Sequence, residues 1–313
     1  MDPVEKARPH EGRSPKGGGE GKGGDEDYAA VIEKYEAEIR SGNTDVVTLI
    51  NLGNAYSGKG EHDEALKCYD KALLMSPDKK QEILILNGLA DAYSKAANFE
   101  KEVETYTALQ QKSPEDRSIV GKAARAYEKS GRIQDANLYY AKALGLTPND
   151  PNLLYSYSFF CEKLGQPNNA IIALEKALRL KPDSEPILQK LSIMYTTIGE
   201  HEKAIKTKAK LLELDQDDVG RWEDLALSHA VARKYKEAIE TCRKAVVRFN
   251  TSSTWILTGD IFADQKKESN ALYCYDVAAG LGHPEGKAKA ANLRNKGVKP
   301  KDIGLQQSVL EKA

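Results

Sequence analysis

The chain has 313 residues, 40% of them apolar and 30% charged, with 46 Lys and Arg against 47 Asp and Glu for a formal charge of −1. Near-neutrality argues against a chain that binds nucleic acid or a membrane surface through its overall charge. The four cysteines (Cys68, Cys161, Cys242, Cys274) form no C-x-x-C pair, so neither a zinc site nor a dithiol motif is indicated, and a reducing compartment suits them.

Residues 1–27 are rich in Gly, Lys, Glu and Pro and have too little apolar surface to offset the entropy of ordering, so a disordered tail is expected there. Its Gly-rich run neither follows a strand nor ends in Gly-Lys-Ser/Thr, which rejects a phosphate loop. No apolar run opens the chain, so no signal peptide is expected. No stretch of about 20 apolar residues offers a membrane span either, and the cytoplasm is the expected location. Over residues 28–43, Ala29, Val31, Ile32, Tyr35 and Ile39 recur near helical spacing and predict a capping helix.

From Val46 the chain repeats. With Val46 as position 1, position 8 is small or Gly at Gly53, Ala90, Ala124, Ser158, Ser192, Ala226 and Gly259. The steps between these are 34 residues, apart from 37 at the first, where three residues are inserted near Lys79–Gln81, and 33 at the last. Position 11 is aromatic at Tyr56, Tyr93, Tyr127, Tyr195 and Phe262 but not at Cys161 and His229. Position 20 is Ala throughout, except for Glu102. Proline closes the first units at Pro77, Pro114, Pro148 and Pro182, where its missing N–H ends a helix. Positions 4, 7 and 11 form one apolar helical stripe, positions 20, 24 and 27 a second, with turn signals such as Gly58-Lys59-Gly60 between them. A single helix pair cannot bury both its faces, so several must stack.

These residues, Leu49, Leu52-Gly53, Tyr56, Ala65, Tyr69, Ala72 and Pro77 foremost, resemble the tetratricopeptide repeat (TPR). The resemblance implies an all-α, right-handed superhelical α-solenoid of about seven helix-turn-helix repeats over residues 46–284. Residues 285–297 then form a C-terminal capping helix, and residues 298–313 a flexible tail. The close of the last repeat, from Ala271 to Gly286, also resembles the ending of a Sel1-like repeat.

Three departures have physical consequences. A carboxylate at Glu102 should not be buried unpaired; either the helix shifts phase by one, turning Val103 inward, or Glu102 finds a partner, and the shift is the expected outcome. At position 24, where Tyr or Phe fills the seam in the motif, repeat five carries Lys208 and repeat six Cys242. Of the adjacent pairs Tyr139-Tyr140 and Phe159-Phe160, helical geometry lets only one member of each be well buried.

No catalytic constellation is visible: the five histidines form no H-E-x-x-H, and neither G-x-S-x-G nor G-x-x-x-x-G-K occurs. The chain therefore reads as a non-enzyme without cofactor or metal. The resemblance implies a concave groove lined by positions 2, 5, 9 and 12 of each first helix. On that face, with neighbouring position 6 adding Lys122, Lys190 and Asp224, lie Asn54, then Lys122 and Arg125, then Tyr155 and Phe159, then Lys190 and Ile193, with Glu223, Asp224, Asp260 and Asp264 at the far end. Aromatic groups beside basic ones suit a protein or peptide partner carrying acidic and apolar residues. Relatives that clamp chaperone carboxylates need a basic residue where Ile50 stands, Asn at position 9, Asn where Gly88 stands, then Lys and Arg. Here only Asn54 and Lys122 fit, so that clamp is not supported. The expected role is an interaction scaffold, the alternative a structural subunit packing through solenoid edges or termini.

Overall fold

The structure, a computed structural model, describes residues 23–75 and 77–304. Most of the expected N-terminal tail, and residues 305–313 of the C-terminal one, lie outside the described residues. These residues form sixteen helices and no strand: α1 Gly23–Arg40, α2 Val46–Lys59, α3 His62–Leu74, α4 Lys79–Lys95, α5 Phe99–Lys112, α6 Arg117–Lys129, α7 Ile133–Leu146, α8 Pro151–Lys163, α9 Pro167–Leu180, α10 Glu185–Thr197, α11 His201–Leu214, α12 Val219–Val231, α13 Tyr235–Phe249, α14 Ser252–Asp264, α15 Glu268–Gly280 and α16 Pro284–Asn295.

The first helix of most repeats starts on a side-chain cap. Asp45, Asp78, Asp116, Asp150, Asp218 and Thr251 each accept a first-turn backbone N–H, satisfying a donor that has no partner inside the helix. The turn to the second helix then passes through one residue with left-handed backbone. It is Gly60, Gly131, Gly165 and Gly199 in four repeats, but Ala97, Arg233 and Lys266 in the others, at φ of 56°, 58° and 60°. The three-residue insertion has a clear place. It lengthens the start of α4, where Asp78 and Gln81 form a reciprocal capping box.

The helices cluster into two compact units, one ending at Tyr139 within α7 and one beginning at Tyr140. In the first, Leu49, Tyr69, Ile85, Leu89, Leu109 and Ile119 share one core, and α1 covers its open side by setting Ile32 against Leu52 and Ala55. The Tyr69 ring fills the seam between successive repeats. A Cβ on Gly53 would stand 2.7 Å from it and one on Gly88 2.5 Å, so both glycines are there for close approach.

Glu102 keeps the register of its repeat, contrary to the expected phase shift. It is the fourth residue of α5, as Ala65 is of α3, and is only 3% exposed, with Val103 buried beside it. It persists because Lys129 on α6 pairs with its Oε1 at 3.6 Å. Its Oε2 is buried without a partner, and burial pushes the carboxyl above the ordinary carboxylate range.

In the second unit, one cluster joins Leu154, Cys161, Leu174, Leu191, Met194 and Tyr195, and another joins Trp255, Phe262, Leu272, Tyr275 and Leu293. Tyr140 and Phe160 are the buried members of the adjacent aromatic pairs, with ring centroids 5.0 Å apart. After α16 the chain turns back. Val298 and Ile303 pack against the second cluster, and the Lys301 N–H donates to the Ser269 carbonyl at 2.9 Å.

Candidate functional site

Three residues of the expected groove lie in the first unit. Asn54 is exposed on α2, and its side-chain oxygen accepts from the Tyr69 hydroxyl at 2.7 Å, so part of its capacity goes to holding the seam aromatic. Lys122 and Arg125 stand exposed on α6 at i, i+3 spacing. One turn on, Lys129 is also exposed, but its ammonium is engaged by Ser94 and Glu102.

In the second unit the structure brings Tyr155, Phe159 and Lys190 together. The two rings on α8 meet edge to face with centroids 5.0 Å apart, and the Lys190 ammonium stands 4.3 Å from the Phe159 centroid. Lys190 also pairs with Glu162, and its side chain is only 13% exposed. Its charge thus locks α10 to α8 and is not free for a ligand. Ile193 on α10 is 55% exposed and lies one repeat on from Phe159, at the same position. Leu227 on α12 continues that row at 48%, and Val231, one turn further, is exposed too. The row Phe159, Ile193, Leu227 puts one apolar side chain on each successive first helix. Leu227 was the missed member of that row, its signal the bare recurrence of an apolar residue at position 9, whereas Val231 stands at position 13.

The acidic far end is largely engaged within the fold. Asp260 accepts from the Tyr275 hydroxyl and from Lys289, each at 2.7 Å, and Glu223 accepts from Ser253 and Thr254 at the same distance. Asp224 is exposed.

Beside Ile193 opens a cavity of about 630 Å³, walled by α10, α11 and α12. Gln189, Ser192, Thr196 and Thr197 form one wall, Lys208 and Leu211 the floor, and Arg221 and Asp224 the other wall. Arg221 is fixed there: it donates to the Leu211 carbonyl at 2.7 Å and to Glu185 at 2.5 Å, with Asp218 at 3.4 Å. A smaller cavity of about 430 Å³, between α9 and α11, has Arg179, Lys203, Lys206 and Lys210 around Leu178, Leu191 and Tyr195.

The titratable groups do not converge on a reaction centre. Burial pushes the Cys242 thiol up to about 12 and the Cys68 thiol up to about 11, leaving both protonated and unreactive at neutral pH. His229 is pushed below its ordinary value, mainly by burial, and its Nδ1 is buried without a partner. Among the described residues no group of three or more His, Cys, Asp and Glu is placed to hold a metal ion, and no helix is long and apolar enough to cross a membrane.

Two tetratricopeptide repeat family models match the chain, one over residues 46–79 and one over residues 122–185. The small glutamine-rich tetratricopeptide repeat-containing protein of Dictyostelium discoideum is 36% identical over 87 residues, which are 27% of this chain and 25% of that protein. The match therefore spans a quarter of that relative's length. Among solved structures, a chain of Naa15/Naa10 bound to HypK-THB is similar with a TM-score of 0.55 at 14% identity, covering 74% of this chain and 39% of that one. A chain of the APC/C hetero-tetramer Cut9-Hcn1 gives a TM-score of 0.50 at 17% identity, covering 76% and 46%. At those identities the likeness is one of fold.

Proposed function

We propose, from the premise that this chain carries tetratricopeptide repeats, that it is a non-enzymatic protein-interaction scaffold. Its partner is a peptide segment or helix of another protein, held on the face formed by α8, α10 and α12. The observation that carries this reading is the row Phe159, Ile193, Leu227. Three large apolar side chains sit at one repeat position on successive helices, two of them about half exposed. Contiguous apolar surface of that kind marks interaction sites more often than chance. Tyr155 and Lys190 hold Phe159 in place from either side, so the platform is pre-organised and little entropy is lost when a partner docks. In the first unit, Lys122 and Arg125 on α6 offer charge that an acidic segment of a partner would meet, and Asn54 on α2 a polar contact. The working location is the cytoplasm, with neither nucleic acid nor membrane as partner.

The alternative is a structural subunit packing through solenoid edges or termini, and its termini give it little support. On α16 every large apolar side chain is covered, and on the described side chains of α1 only Val31 is exposed.

The test is affinity capture from native lysate, comparing wild type with a Phe159→Ala variant that circular dichroism shows to be folded. Partners lost only by the variant place the binding on this face. Partners retained equally move the function to the other faces and sink this reading.

A further inference from the structure

The large cavity exists where a repeat lacks its seam filler. In the first seam, Gly53, Asn54, Tyr69 and Gly88 occupy four equivalent positions, and the Tyr69 ring fills the space between the two repeats. In the seam between repeats five and six those positions hold Ser192, Ile193, Lys208 and Asp224, and all four line the cavity. Repeat four shows what an aliphatic filler does: Leu174, at the position of Lys208, is fully buried in the core cluster with Leu154, Cys161 and Leu191. Lys208 is instead half-buried, its stem lying where the filler would sit. Its ammonium makes one long hydrogen bond, donating to the Asp224 backbone carbonyl at 3.5 Å.

The charges around it decide what can enter. Glu185, Asp218 and Asp215 share the single guanidinium of Arg221, at 2.5, 3.4 and 3.9 Å. Lys208 has three N–H donors, and two of them have no hydrogen-bond partner among the described residues. The hydroxyls of Ser192, Thr196 and Thr197 each donate to a carbonyl of α10, at 2.8, 2.8 and 2.9 Å. Their lone pairs, like the exposed Asp224 carboxylate, remain free to accept backbone N–H groups. Ile193 supplies the adjoining apolar surface.

We infer that Lys208 is a specificity-determining residue of this face: it receives the carboxylate of an Asp or Glu side chain in an extended partner peptide, whose neighbouring apolar residue packs on Ile193. The inference rests on the face of α8, α10 and α12 being the partner site. A charge-assisted hydrogen bond in a recessed cavity is stronger than a neutral one, and it discriminates against a ligand that lacks the charge.

The experiment uses the full chain and an array of nonapeptides. The central residue is Glu, Gln or Lys, the next is Leu or Ser, and the flanks are randomised. Wild type should bind Glu-Leu peptides about tenfold more tightly than Gln-Leu peptides, the worth of one charged hydrogen bond. Lys208→Leu should fill the seam as Leu174 does, melt at or above the wild-type temperature, and bring the Glu-to-Gln ratio within about twofold of unity. Lys208→Glu should turn the preference towards Lys peptides. A Glu preference that survives Lys208→Leu overturns the inference, and so does a lower melting temperature for that variant, since the seam would then not be short of a filler. Binding without any Glu preference, abolished by Phe159→Ala, also overturns it while leaving the partner face standing. Binding that Phe159→Ala leaves unchanged removes the face itself.

Discussion

The Lys190 ammonium stands 4.3 Å from the centre of the Phe159 ring, so a cation on α10 and an aromatic on α8 are fixed against each other across a repeat boundary. Phe159 belongs to the surface all the same, because its neighbour Phe160 has the core: Phe160 is fully buried against Tyr140. Phe160→Ala should cost about 3–5 kcal/mol, as other buried Phe truncations do. Phe159→Ala should cost about 1 kcal/mol, for the lost ring and cation contacts. Urea unfolding of the two variants decides it, and equal losses would put Phe159 in the core and remove it from the partner face.

Glu102 should be worth more to this protein removed than kept. Burial raises its folded-state pKa above the unfolded value of about 4.5, so between the two the folded chain holds a proton that the unfolded chain has released. The ionised carboxyl therefore weakens the fold in full above the folded pKa, and that penalty fades as the pH falls towards 4.5. Glu102→Ala, which restores the residue found at this position in every other repeat, should stabilise by about 1–3 kcal/mol at pH 7, because it removes a buried carboxylate oxygen that has no partner while Lys129, about a third exposed, stays solvated. The gain should shrink steadily down to pH 4.5. A gain independent of pH, or a loss at pH 7, would mean the pair with Lys129 more than offsets the burial.

Tyr127 tests the register of the repeats. It is buried at position 11 of repeat three, its ring 4.7 Å from that of Tyr139 on α7 and with the Arg132 guanidinium at the same distance on its other contact. Tyr127→Ala should lower stability by about 3–5 kcal/mol. Thermal melting that matched wild type would contradict the placement of the whole first stripe.

Much of the fold can be read from residue spacing, because each repeat restates the same demands: a small residue where helices approach, an aromatic where they leave a gap, a left-handed residue where they turn. Phe160 over Phe159, and Tyr140 over Tyr139, followed from a single helical period. Glu102 did not follow, because its partner Lys129 lies on the next helix and no local pattern announces it. The role of Lys208 was hidden for the opposite reason. It looked like one of three departures from the aromatic slot, beside Leu174 and Cys242, and only the three-dimensional seam shows that a missing filler leaves a cavity with a charge in it. For the candidate face, the sequence left Lys190 looking free when Glu162 in fact answers its charge.

The turn inside each repeat offers a stabilising change that touches no contact. Gly199 takes φ of 79° at the turn of repeat five, whereas the equivalent Arg233 holds φ of 58° in repeat six. An L-residue with a Cβ meets a clash there, costing about 1–2 kcal/mol, that glycine escapes. Glycine loses more backbone entropy on folding, which takes back part of the gain. The Arg233 side chain is exposed, so little packing is lost with it. Arg233→Gly should therefore stabilise by about 0.5–1 kcal/mol. Gly199→Ala, the reverse change one repeat earlier, should destabilise by about 1 kcal/mol or slightly more, since nothing else lies within 4 Å of the new Cβ to compensate. Paired urea midpoints measure both, and two shifts of the same sign would show that the turn's backbone is not what sets the preference at this position.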